Sequence, residues 1–195
     1  MTRAPLSKKY HEMDRVDRAI AEFASLEKPT VSDLNRVRTI SQVEEELDRY
    51  RADGKEMTQK ELVQEAHNSA RLGKHMGLNG DPRPHNLCDA HAIVSGAHRR
   101  AAPMRAVLAW FKRRIDDPIN GCWLPRNKEA VSQMPDHLRR AVPHSRIHRK
   151  AYYAWISPLI NLARISSDEE LVRTLASIRH KLQTGTLPQH IIPKR

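Results

Sequence analysis

The sequence of 195 residues has little cysteine and few aromatic residues: the two cysteines are Cys88 and Cys122, and aromatics make up 5% of the chain. Two cysteines cannot form a disulfide framework or a thiolate zinc site by themselves, so we expect two thiols in a reducing compartment. No apolar run approaches the ~20 residues of a membrane span. The N-terminal stretch MTRAPLSKKYHEM has no apolar core of a signal peptide. We therefore expect a protein made in the cytoplasm, without membrane span or signal peptide.

Acidic residues are also outnumbered, because 34 lysines and arginines face 23 acidic residues, for a formal net charge of +11. Such a charge favours a polyanionic partner, with nucleic acid first and a membrane surface or an acidic protein next. The histidines carry more specific information. The chain has 11 of them, and several lie between His85 and His148.

The patterning predicts a mainly α protein with a small two-stranded core. Helical periodicity and the capping-box pair Thr58 and Glu61 indicate a helical N-terminal region over 1–80, with its third helix ending near Gly77. Turn residues then open a mixed region over 81–165, with short strands predicted at 90–95 and 122–125 and a helix at 148–162. A C-terminal helix and tail occupy 166–195, and the helix begins at Ser167 and ends before Gly185.

Four segments of the middle region carry chemically versatile side chains in the order strand, turn, strand, helix. They are Asp89-Ala-His-Ala-Ile-Val94, Asp117-Pro-Ile-Asn-Gly-Cys-Trp-Leu-Pro125, His144-Ser-Arg-Ile-His148 and Tyr152-Tyr-Ala-Trp155. His144 and His148 are four residues apart and share a face if the helix has begun by then. Together with His91 on the first strand they predict three converging imidazoles, which can hold a divalent ion and leave positions open for water and substrate.

These segments resemble the ββα-metal core of the AHH-signature HNH (His-Me finger) endonucleases found among bacterial polymorphic toxins. That family's pattern is Ala-His-His with two aliphatic residues, Asn-Gly-x-x-Leu-Pro, His-x-x-x-His and a helix with paired aromatics. The resemblance covers roughly residues 85–158. It implies an HNH-like nuclease core over 81–165 and one divalent ion (Mg, Zn, Ni or Mn) held by His91, His144 and His148.

The chain departs from the pattern at one position, because Ala92 stands where the resemblance places the general-base histidine. A methyl group cannot take a proton from water, so we expect this form to be inactive. An engineered change and a natural degenerate homologue both remain open. The resemblance gives Asn120 the task of orienting the missing imidazole through its side-chain or backbone oxygen, although Asn-Gly is also a common turn dipeptide.

Basic residues surround these segments and together predict contacts to phosphates: Arg99, Arg100, Arg146, Arg149 and Lys150. His85 and His98 flank the site, and surface positions are favoured for both over substrate contacts. The resemblance implies a toxin that cleaves nucleic acid, DNA before RNA, is delivered into the cytoplasm of a target cell and is neutralised in the producer by an immunity protein. One alternative is a non-catalytic nucleic-acid- or protein-binding module on a degenerate scaffold, and another is a His-rich structural metal domain.

Overall fold

The computed structural model describes residues 9–188 and 190–191, so the predicted tail at 192–195 lies outside the described residues. The chain forms two compact units, 1–49 and 50–195. The division at residue 80 stays a prediction. The helices are α1 Arg15–Ala24, α2 Val31–Glu56, α3 Gln59–Gln64, α4 Ser69–Leu78, α5 Ala102–Trp110, α6 Lys128–Val131, α7 Lys150–Ile156 and α8 Asp168–Thr184.

The sheet consists of two antiparallel strands, β1 Cys88–Ala92 and β2 Gly121–Pro125. In their register His91 lies opposite Cys122 and Ala92 opposite Gly121. The predicted fold class, mainly α with a small ββα core, is confirmed. The first strand begins two residues earlier than predicted and ends at Ala92. Ile93 and Val94 are buried beyond the strand instead of continuing it.

Helix ends follow local sequence signals where these were clear. Thr58 and Glu61 form the predicted capping box at the start of α3, and Ser167 accepts a hydrogen bond from Glu170 N at the start of α8. Gly185 ends α8 in the left-handed conformation with φ of 68°, which glycine adopts without steric cost.

The third predicted helix is two helices, because the chain leaves helical geometry between Glu65 and Asn68. Long-range polar contacts hold this break open. Glu65 accepts hydrogen bonds from Arg114, the closest at 2.6 Å, and the Asn68 side chain accepts from the first amides of α4. Interactions with residues distant in sequence thus override the helical periodicity.

The sheet lies between helices of the unit 50–195. A side chain added at Gly121 on β2 would clash with Met76 and lie 2.9 Å from Leu72, so α4 packs against this face. From α7, the Tyr152 hydroxyl reaches His91. Within the described residues, no helix combines the length and apolarity that crossing a membrane requires.

Candidate metal centre

The two-residue repeat of a strand separates the side chains of His91 and Ala92. His91 points toward α7 and is fully buried. Ala92 shares the opposite face with its register partner Gly121, where Leu72 and Met76 pack. His91 therefore belongs to the histidine cluster, and the next residue, Ala92, belongs to the apolar layer that packs against α4.

Hydrogen bonds fix which nitrogen of His91 is free. The Tyr152 hydroxyl donates to Ile93 O at 2.9 Å, so its oxygen is left to accept from His91 Nε2 at 3.3 Å. His91 then carries its proton on Nε2 and its lone pair on Nδ1. Nδ1 is buried without a partner among the described residues. An orphaned buried acceptor of this kind fits a metal ligand.

His144 and His148 come together through an irregular segment rather than a helix. His144 begins a 3-10 turn over His144–Arg146, and α7 begins only at Lys150. The condition for a shared helical face, that the helix has begun by then, is therefore not met, although the contact itself forms. The two Nε2 atoms lie 3.2 Å apart, close to the ~3.3 Å between two nitrogens on a tetrahedral zinc with bonds of about 2.0–2.1 Å.

Each of these two imidazoles is held from behind. Asp89 Oδ2 lies 3.3 Å from His144 Nδ1, and the Tyr153 hydroxyl lies 3.1 Å from His148 Nδ1. Such outer partners fix the ring orientation and leave Nε2 as the ligand atom. From the sequence, Tyr152 and Tyr153 are only the paired aromatics of a motif and Asp89 has no assigned role, so these positioning contacts were not predicted.

The electrostatics favour neutral rings. Burial, followed by the neighbouring His144 and His148, lowers the pKa of His91 well below its ordinary value. His148 is exposed as a whole residue, but burial of its ring beside His91, followed by the effect of His144, lowers its pKa to about 4. Neutral imidazoles offer lone pairs to a cation. The ligand atoms of the three histidines all lie within 4.8 Å of one another, so the donor set fits one divalent ion.

Asn120 lies deep in the fold, where its polar groups bind backbone. Its Oδ1 accepts from Val94 N at 2.8 Å, and its Nδ2 donates to Val94 O and Ile115 O. Its backbone oxygen accepts from Ile93 N at 2.8 Å. Asn120 therefore holds the segment that follows Ala92, and its orientation of an imidazole at position 92 stays a prediction.

A basic groove adjoins the histidine cluster. Its lining includes Arg99, Arg100, Lys150 and Tyr153, and Tyr153 also contacts His148. Three of the five basic residues predicted to bind nucleic acid thus lie together. The other two, Arg146 and Arg149, do not line this groove.

Both flanking histidines have local hydrogen-bonding roles. His98 stacks on Tyr153 with ring centroids 4.1 Å apart and accepts from Arg100 N. His98 thereby supports the basic groove. His85 accepts from Leu87 N at 3.2 Å, just before β1.

Comparison with known proteins agrees with this arrangement. No curated protein and no solved structure matches the chain significantly. A family model matches residues 72–187, more than half of the chain, and its family is described as a nuclease family of the HNH/ENDO VII superfamily with conserved AHH. The matched span contains the histidine cluster, both strands and the basic groove, and the chain belongs to this AHH nuclease family.

Proposed function

We propose that the chain is a metal-dependent endonuclease that hydrolyses phosphodiester bonds of DNA and acts as a toxin domain. The observation that carries the proposal is the cluster of His91, His144 and His148, whose ligand atoms lie within 4.8 Å of one another. Membership of a nuclease family gives the reaction class. The basic groove gives a path for a polyanion.

The residues of the chain divide the work between holding an ion and holding the substrate. A divalent ion bound by the three histidines would stabilise negative charge on the scissile phosphate and the departing oxygen. Asp89, Tyr152 and Tyr153 keep the imidazoles oriented for it. The side chains of Arg99, Arg100 and Lys150 bind phosphates along the groove that Tyr153 also lines.

The step that this form performs poorly is the transfer of a proton from the attacking water. Ala92 is buried at 4% exposure and has no lone pair to accept a proton from the attacking water. General-base catalysis typically contributes ~10²–10⁴-fold to a rate. We therefore propose that the substitution at position 92 lowers turnover by a factor of this order, enough for this form to look inactive in an ordinary assay, and leaves metal binding intact.

DNA as substrate and an immunity protein as partner are finer parts of the same proposal. The net charge of +11 favours a polyanion, and DNA binding through phosphates should weaken steeply as salt rises. The resemblance to polymorphic toxins supports delivery into the cytoplasm of a target cell. An acidic immunity protein that covers the basic groove would protect the producer.

The test is cleavage of plasmid DNA and, separately, of RNA by purified Ala92→His protein with magnesium, manganese, nickel or zinc. We expect cutting that a chelator abolishes. Ala92→Leu is the matched control, because it adds similar bulk without a proton acceptor. A folded, metal-loaded Ala92→His protein that cuts neither nucleic acid with any of these ions would overturn the proposal.

A second candidate function is a nucleic-acid-binding module that no longer cleaves. The observation that favours it is that Ala92 is buried and pairs with Gly121 on the face where Leu72 and Met76 pack. This candidate predicts salt-sensitive DNA binding by the unmodified chain and no cleavage after Ala92→His.

A further inference from the structure

A further imidazole lies outside the segment that the family model matches. His67 lies between α3 and α4, and its Nδ1 is 2.5 Å from Asp116 Oδ1. Asp116 is fully buried. Its second oxygen accepts from Asn68 N at 3.0 Å and from Arg71 Nε at 2.7 Å. The carboxylate is therefore fixed from both sides.

The surroundings of Asp116 keep it ionised. Burial raises its pKa, but the hydrogen bonds from His67, Asn68 and Arg71 outweigh burial, and the net effect lowers the pKa. A buried carboxylate on Nδ1 holds the proton there and leaves the lone pair on Nε2, as in the His-Asp pairs of hydrolases. Within residues 9–188 and 190–191, Nε2 of His67 has no hydrogen-bond partner. The side chain is 24% exposed, so water can reach it.

The His67–Asp116 pair packs against the chain that follows Ala92. A side chain at Gly96 would clash with Cβ of His67, so glycine at this position allows the histidine to approach. The Asn120 carboxamide ties Val94 to Ile115, the residue before Asp116. Both members of the pair are thus anchored to the segment 94–96.

The pair also lies within electrostatic reach of the ligand cluster. His67 is among the neighbours that lower the pKa of both His91 and His148, after burial and nearer histidines. Along the chain, Ser95 next to Gly96 accepts a hydrogen bond from His98 N at 3.3 Å. The His98 ring stacks on Tyr153, which in turn holds His148. A short path of contacts therefore joins His67 to the cluster.

We propose that His67, oriented by Asp116, is the proton acceptor for the hydrolysis that remains in this chain, in place of the imidazole missing at position 92. The inference rests on the proposed nuclease function. The oxygen of a water molecule forms a bond to phosphorus while one of its protons passes to Nε2 of His67. The bond from phosphorus to the leaving oxygen breaks, that oxygen keeps the electron pair and takes a proton from solvent, and His67 returns its proton to solvent.

The test measures single-turnover cleavage of plasmid DNA by the full chain with manganese at high enzyme concentration. We expect slow, chelator-sensitive cutting by the unmodified chain and a further loss of about 10²-fold in His67→Gln, the lower end of what general-base catalysis contributes. Binding of manganese and of DNA should stay unchanged. Added imidazole should restore part of the rate to His67→Gly, which a purely structural role of His67 would not allow.

His75→Gln is the matched control, because His75 is buried and also binds Asp116, through the backbone oxygen at 2.8 Å. It should melt at a lower temperature without the specific loss of rate. Equal losses in the two variants, or no rescue by imidazole, would overturn the role of His67.

The same assay separates this proposal from the proposed function. If Ala92→His cuts DNA while the unmodified chain does not, the role of His67 is wrong and the nuclease function stands. If neither cuts with metal bound, both are wrong.

Discussion

The two faces of β1 differ in the side chains that they present, because one faces a histidine cluster and the other faces an apolar layer. On the α7 face, His91 meets His144 and His148, and each imidazole has an oxygen partner. On the α4 face, Ala92 and Gly121 lie in an apolar layer. Because successive strand residues point to opposite faces, a change at position 92 leaves the side chain of His91 in place. Under the proposed function, metal binding and proton transfer are therefore separable.

The largest effect on metal affinity and cleavage should follow from removing a histidine of the cluster on the α7 face of β1. His148→Ala removes one of the three proposed nitrogen ligands, and we expect metal affinity to fall by more than the ~10–100-fold that loss of an outer partner typically costs. In the Ala92→His background it should abolish cleavage. Calorimetric titration with zinc measures the first effect, and His85→Ala serves as control. Unchanged metal affinity would remove His148 from the ligand set.

Placing an imidazole at position 92, on the α4 face of β1, should give the next largest effect on cleavage. Ala92→His should raise the cleavage rate by ~10²–10⁴-fold with little change in metal affinity. Ala92 is buried and pairs with Gly121, against which Leu72 and Met76 pack. We therefore expect the added ring to cost about 1–3 kcal/mol of stability through overpacking. Denaturant unfolding checks the stability and a plasmid assay the rate. A rise in rate with no loss of stability would show that position 92 has more room than this packing allows.

A smaller change tests how the Tyr152 hydroxyl orients the imidazole of His91. Tyr152→Phe deletes the hydroxyl that accepts from His91 Nε2. We expect metal affinity to fall by ~10–100-fold with the apolar packing of the ring retained. Tyr10→Phe in the unit 1–49 is the control. Equal metal affinity for Tyr152→Phe and the unmodified chain would show that His91 needs no such support.

The smallest effect is the dependence of the stability of the metal-free protein on pH. Burial first, and the neighbouring histidines next, lower the pKa of His91 well below its ordinary value, and similar causes lower the pKa of His148 to about 4. Between pH ~6.5, where an unfolded histidine titrates, and pH ~4 the unfolded chain binds protons that the folded chain does not. Stability of the metal-free protein should therefore fall as pH falls through this window.

Melting temperatures at pH 7.5, 6 and 5 measure this decline. In His148→Gln it should be shallower. A melting temperature that is constant over this range would contradict the burial of neutral histidines.

The sequence located the histidine cluster because residue types in a fixed order mark it. His91, His144 and His148 stand within segments whose order matches a known motif, and the fold class followed from periodicity. His144 and His148 do not share a helical face, because α7 begins only at Lys150. The two rings meet because Asp89 and Tyr153 hold them.

The hydrogen-bond partners of the imidazoles could not be predicted from the sequence, because each partner lies far along the chain from its histidine. Asp89 and His144 are 55 residues apart, and His67 and Asp116 are 49 apart. No local period links such pairs, and His67 lies in a break where the sequence indicated an uninterrupted helix. The tyrosine pair at 152 and 153 was visible as a motif element, but only the structure shows which hydroxyl faces which histidine.

The most direct test of separable metal binding and proton transfer is zinc titration of the unmodified chain, followed by nitrogen-15 NMR of its histidine rings. We expect one ion per chain, bound through Nδ1 of His91 and Nε2 of His144 and His148, although position 92 is alanine. Failure of these three rings to respond, or coordination that appears only after Ala92→His, would show that metal binding depends on position 92 or lies elsewhere.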